Sequence, residues 1–257
     1  MHSTPHRTAQ KWVRPLSGAT APGGLRLFFF PYAGAGASAY RSWGAGLPEG
    51  TEGFAVQLPG REDRFYERPV PGLDDLLDAL TPGLLPLLDR PFAFFGHSMG
   101  AIVCWELCRR LRLTHGLEPV RVFVSGCRAL HLHRSRTPAE ADLSDEGLIE
   151  ELRALGATPE ELLRNPEFTA FLLPTFRADL SLFAGYSYRP GPPLSCPVSV
   201  FGGTRDPRVA EEHLHGWAAL TEGPARVEMF PGGHLFLLQE RERMLRSIGW
   251  ALSGDGF

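Results

Sequence analysis

Short apolar runs alternate along this chain with stretches of helical periodicity, and that alternation sets the expected order of elements. Leu25–Phe30 (LRLFFF) is almost continuously apolar and stops at Pro31, the pattern of a strand buried on both faces. Residues 53–58, 91–95, 120–125, 197–201 and 226–230 read the same way. Between them, apolar residues recur at helical spacing over 73–89, 99–113, 209–220 and 235–252. Pro82 and Pro86 are expected to kink or divide the first of these helices. The alternation predicts an α/β fold with a mostly parallel central sheet and helices on both faces.

The texture changes between Ala129 and about Tyr188, where the chain is charged, helix-prone and without a convincing strand. Helices are expected over 143–155, 160–164 and 166–186, the last interrupted at Pro174. A connection of this length is too long for an ordinary loop, so residues 129–188 read as a helical lid. The lid interrupts a single domain spanning 25–257, and residues 1–24 read as a flexible tail.

Charge and composition narrow the function. The formal net charge of -3 supplies no basic field for nucleic acid phosphates. The apolar runs have the length of strands rather than membrane spans. Residues 1–24 lack an apolar signal core, and the four cysteines form no CxxC pair, which together give a cytoplasmic reading. Cys104 and Cys108, four apart on a predicted helix, are expected to be buried thiols. His131 and His133 form an H-x-H without further ligands at metal spacing, so no metal is expected.

The chemistry begins at Gly96-His97-Ser98-Met99-Gly100, a G-x-S-x-G placed directly after one apolar strand and directly before a helix. Such a corner holds a nucleophilic serine in a strained conformation, and glycines two residues to either side permit it. The helix that follows favours developing negative charge at its N-terminus. His97 lies inside the motif, where adjacent side chains point apart, and is read as structural. His234 follows the strand at 226–230 through Pro231-Gly232-Gly233 and is the best-placed base among nine histidines. Asp206 ends the loop after the strand at 197–201, where a carboxylate holds the imidazole's second nitrogen. Alone, Asp206-Pro207 reads as a turn initiator; in the chain order Ser, Asp, His it reads as the acid. Oxyanion donors are expected from the backbone N–H groups of Met99 and of Ala33, the latter in the small-residue loop after Leu25–Phe30. A phosphate-binding G-x-x-x-x-G-K-[ST] is absent from that loop.

These residues resemble the type II (editing) thioesterases of polyketide synthase and nonribosomal peptide synthetase pathways, within the α/β-hydrolase superfamily. The resemblance runs from Leu25 to about Leu238 and rests on FFPYAGAGASAY (29–40), QLPGREDR (57–64), FFGHSMGA (94–101), GCRA (126–129), LPTFRADL (173–180), CPVSVFGGTRDPRV (196–209) and FPGGHLFL (230–237). It implies Ser98, Asp206 and His234 as the triad, Met99 and Ala33 as oxyanion donors, and acyl thioesters on the phosphopantetheine arm of a carrier protein as substrates. No further cofactor is implied, and a monomer is expected. Two departures lie beside the lid: Leu130 replaces a proline in Gly126-Cys127-Arg128-Ala129-Leu130-His131, and the acidic residue before the tyrosine is replaced near Ala184-Gly185-Tyr186.

Several assignments stay open at this point. Phe168, Phe171, Leu172 and Phe176, with Leu148, Leu152 and Leu155, are candidates for an acyl chamber or for ordinary core. Arg61 is placed either facing a carrier phosphate or in a salt bridge with Glu62 or Asp63. Arg109, Arg110 and Arg112 are either a docking site for an acidic carrier or a solvated helix face. A small-ester carboxylesterase or lipase, and a catalytically silent scaffold subunit, are the rival functions.

Overall fold

A computed structural model of the chain describes residues 11–17, 24–133 and 141–254. Seven strands form one sheet in the order β1-β3-β2-β4-β5-β6-β7. They are β1 (Val13–Pro15), β2 (Leu25–Phe30), β3 (Thr51–Val56), β4 (Phe92–His97), β5 (Arg121–Ser125), β6 (Val198–Gly203) and β7 (Ala225–Phe230). Neighbouring strands run parallel from β3 to β7, and β1 pairs antiparallel with β3. The mostly parallel sheet with helices on both faces is therefore as the hydrophobic pattern predicts.

Strand period 2 divides the apolar residues of β2 between two cores. Phe28 and Phe30 face the layer of α1 (Leu73–Leu84) and α2 (Met99–His115), where Leu76, Leu80, Ile102 and Trp105 are buried. Leu27 and Phe29 face the opposite layer, where Tyr40 and Trp43 of the 3-10 helix Ala37–Gly46 pack beside Met244 and Ile248. Those last two belong to the C-terminal helix, residues Arg241–Leu252.

The chain departs from the expected elements at identifiable places. The tail reading fails for residues 12–15. Trp12 is buried, lies on Gly83 of α1 so closely that a Cβ there would sit 2.2 Å from its ring, and carries the Arg64 guanidinium 4.2 Å above its centroid. Residues 1–10 and 18–23 of that stretch lie outside the described residues. Pro82 lies within α1 rather than dividing it, and Pro86 stands second in the short 3-10 turn Leu85–Leu87. The residue whose carbonyl Pro82 deprives of its helical donor, Asp78, is exposed to solvent rather than buried. Four residues of the Cys set, Cys104, Cys108, Cys127 and Cys196, are free and buried.

Between β5 and β6 stand α3 (Asp145–Leu155), α4 (Glu160–Leu163) and α5 (Pro166–Gly185), with no strand among the described residues. Ser144 caps α3 by accepting the Gly147 N–H at 3.1 Å, and Gly156 ends it in the left-handed conformation. Asn165 caps α5, with Pro166 in the first position. The expected break at Pro174 does not occur, because Pro174 and Ala170, four residues before it, are both exposed. Leu148, Leu152, Leu163, Leu173 and Phe176 form a small core of their own inside this insertion.

Removing the Trp12 side chain should lower the unfolding free energy by about 3 kcal/mol, the cost typical of deleting a buried aromatic. Urea titration of Trp12→Ala against wild type measures this; an unchanged midpoint would return residue 12 to a dispensable tail.

Candidate active site

The strand order reverses direction between β2 and β4, and ligands of open α/β sheets bind beyond the carboxyl ends of strands at such a switch point. The loop after β2 and the corner after β4 therefore converge there. At that corner Ser98 adopts φ 52° and ψ −116°, outside the region open to most residues. The flanking glycines are required by space: a Cβ on Gly96 would lie 2.2 Å from the Gly100 carbonyl oxygen, and one on Gly100 would lie 2.2 Å from that of Phe30. The Ser98 N–H donates to the Ser125 carbonyl at 2.8 Å, which ties the corner to β5.

Two loops from neighbouring strands bring the other groups to Ser98. Gly203 admits the β7 loop, since a Cβ there would stand 2.5 Å from the Gly233 carbonyl, and the Arg205 N–H donates to Gly232 at 2.8 Å. His234 Nε2 lies 2.9 Å from Ser98 Oγ, and its Nδ1 lies 2.8 Å from Asp206 Oδ2. The Asp206 carboxylate is fully buried, and its other oxygen accepts the Arg208 N–H at 2.8 Å. Asp206 is thus a turn former and the imidazole's partner at once. This relay can take a proton from Ser98 while the carboxylate holds the tautomer and supports the cation formed.

His97 serves a different site. Its Nδ1 bonds Ser125 Oγ at 2.9 Å, and its ring meets Tyr32 and Phe236 edge-on. Gly126, at φ 57°, makes room for it, because a Cβ there would lie 2.6 Å from the ring. Burial, with the neighbouring His234 adding to it, holds the His97 pKa well below its ordinary value of 6.5.

Met99 opens α2, so its N–H has no intrahelical acceptor. Ala33 lies in the turn Tyr32–Ala35, closed by the Ala35 N–H to Tyr32 carbonyl bond of 3.0 Å. The QLPGREDR segment braces this loop. Gln57 Oε1 accepts the Ala37 N–H at 2.8 Å, and Glu62 accepts from Ser38 Oγ at 2.6 Å. Arg61 donates to the Ala35 carbonyl at 3.0 Å and forms a two-point pair with Asp179 of α5, at 2.6 and 2.8 Å.

The chain matches the thioesterase domain family over residues 25–251. It belongs to the thioesterase family. Among its relatives, the gramicidin S biosynthesis protein GrsT of Aneurinibacillus migulanus is 40% identical over 221 residues, covering 86% of either chain. The linear gramicidin dehydrogenase LgrE of Brevibacillus parabrevis is 41% identical over 248 residues, 95% of this chain and 93% of that one. Among solved structures, the type II thioesterase BorB of the borrelidin biosynthetic cluster aligns with a TM-score of 0.83 at 36% identity, covering 96% of this chain and 98% of its own. The fold is that of an α/β-hydrolase, and the protein is a thioester hydrolase.

The dehydrogenase activity in the second relative's name belongs to that protein. Gly34 to Ala39 of this thioesterase does spell G-x-G-x-x-A after a strand, the run that cradles a dinucleotide pyrophosphate. Here the Gly34 N–H is held by Asp179 and the Ser38 N–H by Glu62, and a 3-10 helix follows. Two carboxylates occupy the amides that a pyrophosphate needs, so these residues do not fit such a cofactor.

Both placements proposed for Arg61 are corrected. Its guanidinium is buried on Asp179, Ala35 and Pro59, while Glu62 turns to Ser38 and Asp63 pairs with Arg14 at 2.6 Å. Arg109, Arg110 and Arg112 are likewise engaged by the chain itself: by Glu106, by Asp74 and Asp78, and by Glu118. His131 and His133 do not act together; His133 Nε2 lies 3.1 Å from the Phe183 carbonyl, and the His131 ring lies near Tyr188. Tyr186, which lacks the preceding acid of the family pattern, donates instead to Glu106 of α2 at 2.6 Å.

Of the chamber candidates, Phe176, Leu148 and Leu152 are buried in the insertion's own core, with Leu155 and Leu172 against it. Phe171 is 52% exposed and stacks on Phe65 with centroids 4.3 Å apart, and Phe168 is half-buried. Asp179 and Gln57 received no role from the sequence. For Asp179 a signal was there to read: a lone carboxylate between the buried Phe176 and Leu182 of an apolar helix needs a buried cation.

The low pKa of His97 gives a testable pH effect. The unfolded chain binds this proton as pH falls below about 6.5 and the folded chain does not, so stability is full above that value and declines below it. His97→Asn, which keeps a polar atom toward Ser125, should show a shallower loss of Tm between pH 7 and pH 5 than wild type. Equal slopes by calorimetry would remove His97 from the acid sensitivity.

Proposed function

We propose that this thioesterase hydrolyses acyl thioesters from the phosphopantetheine arm of acyl or peptidyl carrier proteins, clearing misprimed or stalled carriers in polyketide or nonribosomal peptide biosynthesis. The observation that carries the reading is the Asp206–His234–Ser98 relay, with contacts of 2.8 and 2.9 Å, ending on a strained serine at the start of α2. The similarity to GrsT, a gramicidin S biosynthesis protein, and to BorB, a type II thioesterase from the borrelidin biosynthetic cluster, supports the carrier-borne substrate.

Each step falls to a group of this chain. His234 Nε2 takes the Ser98 proton as Oγ forms a bond to the thioester carbonyl carbon. The N–H groups of Met99 and Ala33 stabilise the oxyanion, each worth about 3 kcal/mol where such donors have been removed elsewhere. Collapse breaks the C–S bond, and the imidazolium returns its proton to the departing thiol. Water, deprotonated by His234, then attacks the acyl-serine ester, releasing the acid and restoring Ser98. Asp206 holds Nδ1 throughout. The mechanism uses no cofactor beyond the pantetheine that the substrate brings.

The insertion α3–α5 serves as the lid past which that arm reaches Ser98, and the enzyme acts as a monomer in the cytoplasm. Among the described residues no helix is long and apolar enough to cross a membrane.

The test is the mass of acetyl- and longer acyl-carrier proteins incubated with wild type and with Ser98→Ala. Wild type should return the free carrier, and the variant should leave the acyl mass in place, a loss of at least about 10³-fold. Cleavage of p-nitrophenyl esters without carrier deacylation would make the protein a plain esterase.

A further inference from the structure

The oxyanion loop is held from outside the triad. A backbone amide stabilises an oxyanion only when aimed where the charge develops, and an amide on a small-residue loop is not rigid by itself. Ala33 is followed by Gly34, at φ 78°, so little in the local sequence defines the turn. Side chains define it instead. Gly34 donates its N–H to Asp179 Oδ2 at 2.8 Å, and Ala35 receives Arg61 Nη1 at 3.0 Å. Arg61 and Asp179 are bound to each other by two contacts, with side chains only 7% and 4% exposed.

We propose that the buried Arg61–Asp179 pair is a positioning device for the Ala33 N–H: Asp179 fixes the Ala33–Gly34 peptide, and Arg61 fixes the Ala35–Gly36 peptide two further on. This rests on the reading of Ser98 and Ala33 given above. A buried pair such as this is weak as a stabiliser, because removing both charges from water offsets their attraction. It is strong as a geometric constraint, since a bidentate contact sets both distance and orientation. The device cancels its own charge as well. A bare carboxylate bonded next to Ala33 would oppose the developing oxyanion, and the guanidinium neutralises it.

The same helix touches both the loop and the segment that braces it at adjoining positions. Thr175 Oγ1 donates to the Gly60 carbonyl at 2.5 Å, and Phe176 lies against Gly34, where a Cβ would stand 3.0 Å from its ring. Residues 175, 176 and 179 share one face of α5. The placement of Ala33 is therefore coupled to the insertion, and a displacement of α5 disassembles half of the oxyanion site while leaving Asp206, His234 and Ser98 in contact.

The test compares wild type, Asp179→Ala and Asp179→Asn with p-nitrophenyl acetate and with an alkyl trifluoromethyl ketone, which adds to Ser98 as a tetrahedral oxyanion. Asp179→Ala should lower kcat about 10- to 100-fold with KM within about twofold, and weaken the ketone by the same factor. Asp179→Asn, which keeps an acceptor for Gly34, should recover at least half of that loss on a logarithmic scale. Unchanged kcat and ketone affinity in folded Asp179→Ala, or a change confined to KM, overturns the proposal. If Asp179→Ala does not fold by circular dichroism, Arg61→Lys takes its place: it keeps the charge, breaks the two-point contact, and should show the same split. A wild type that cleaves neither substrate, and whose Ser98 a fluorophosphonate does not label, rejects the underlying triad reading instead.

Discussion

The structure depends on one backbone conformation, that of Ser98 at φ 52°. A residue other than glycine adopts it at a cost of about 1–3 kcal/mol, which persists only where the surroundings over-determine it. Here they do. The Ser98 N–H is tied to β5, the glycines on either side allow main chain to approach to contact, and α2 begins at the next residue. Strain at this corner presents Oγ beyond the carboxyl end of the central strand β4 and places the unpaired amides of α2 beside it. The remainder of the site is arranged around that point.

The loops that meet Ser98 solve the same problem by different means. The β6 and β7 loops approach each other through glycines, so Asp206 and His234 come together by backbone contact and a single hydrogen bond. The β2 loop, which carries the proposed oxyanion donor Ala33, takes another route. It is instead held from behind by side chains: Gln57, Arg61 and Glu62 from the segment after β3, and Asp179 from α5. A motif with two charged residues beside an active site invites a docking interpretation. The burial of Arg61 on Asp179 and the Glu62–Ser38 bond tie it to the enzyme's own geometry instead.

The insertion has accordingly two characters. Its lower face, at 175–179, is part of the active-site scaffold through Phe176, Thr175 and Asp179. Its outer surface bears Phe171, half-exposed and stacked on Phe65, which is itself exposed. Residues suited by hydrophobicity to line an acyl chamber, Leu148, Leu152 and Phe176, are largely consumed in packing the insertion's helices together. Apolar character alone does not separate a lining residue from a core residue, because both are driven out of water by the same term.

The sequence by itself determined the chain order of the six parallel strands and their helices, and it singled out Ser98, Asp206 and His234, which the fold brings within hydrogen-bonding distance. Period-2 and period-3.6 patterns are local, and the proposed Ser–Asp–His roles follow from chain order and from strand-end positions that those patterns locate. The small residues of 31–37 likewise marked the loop that must approach a substrate. Tertiary structure alone decided the rest. Trp12 became core because Gly83, distant in sequence, leaves the space for its ring. Pro82 and Pro174 were tolerated because their turns face solvent, and exposure of a helix face is set by what packs on the other side. Arg61 found Asp179 across 118 residues rather than its neighbours, since a buried guanidinium takes the carboxylate whose position completes two parallel bonds. Pairings of that kind depend on where distant segments are brought together, and no local pattern encodes them.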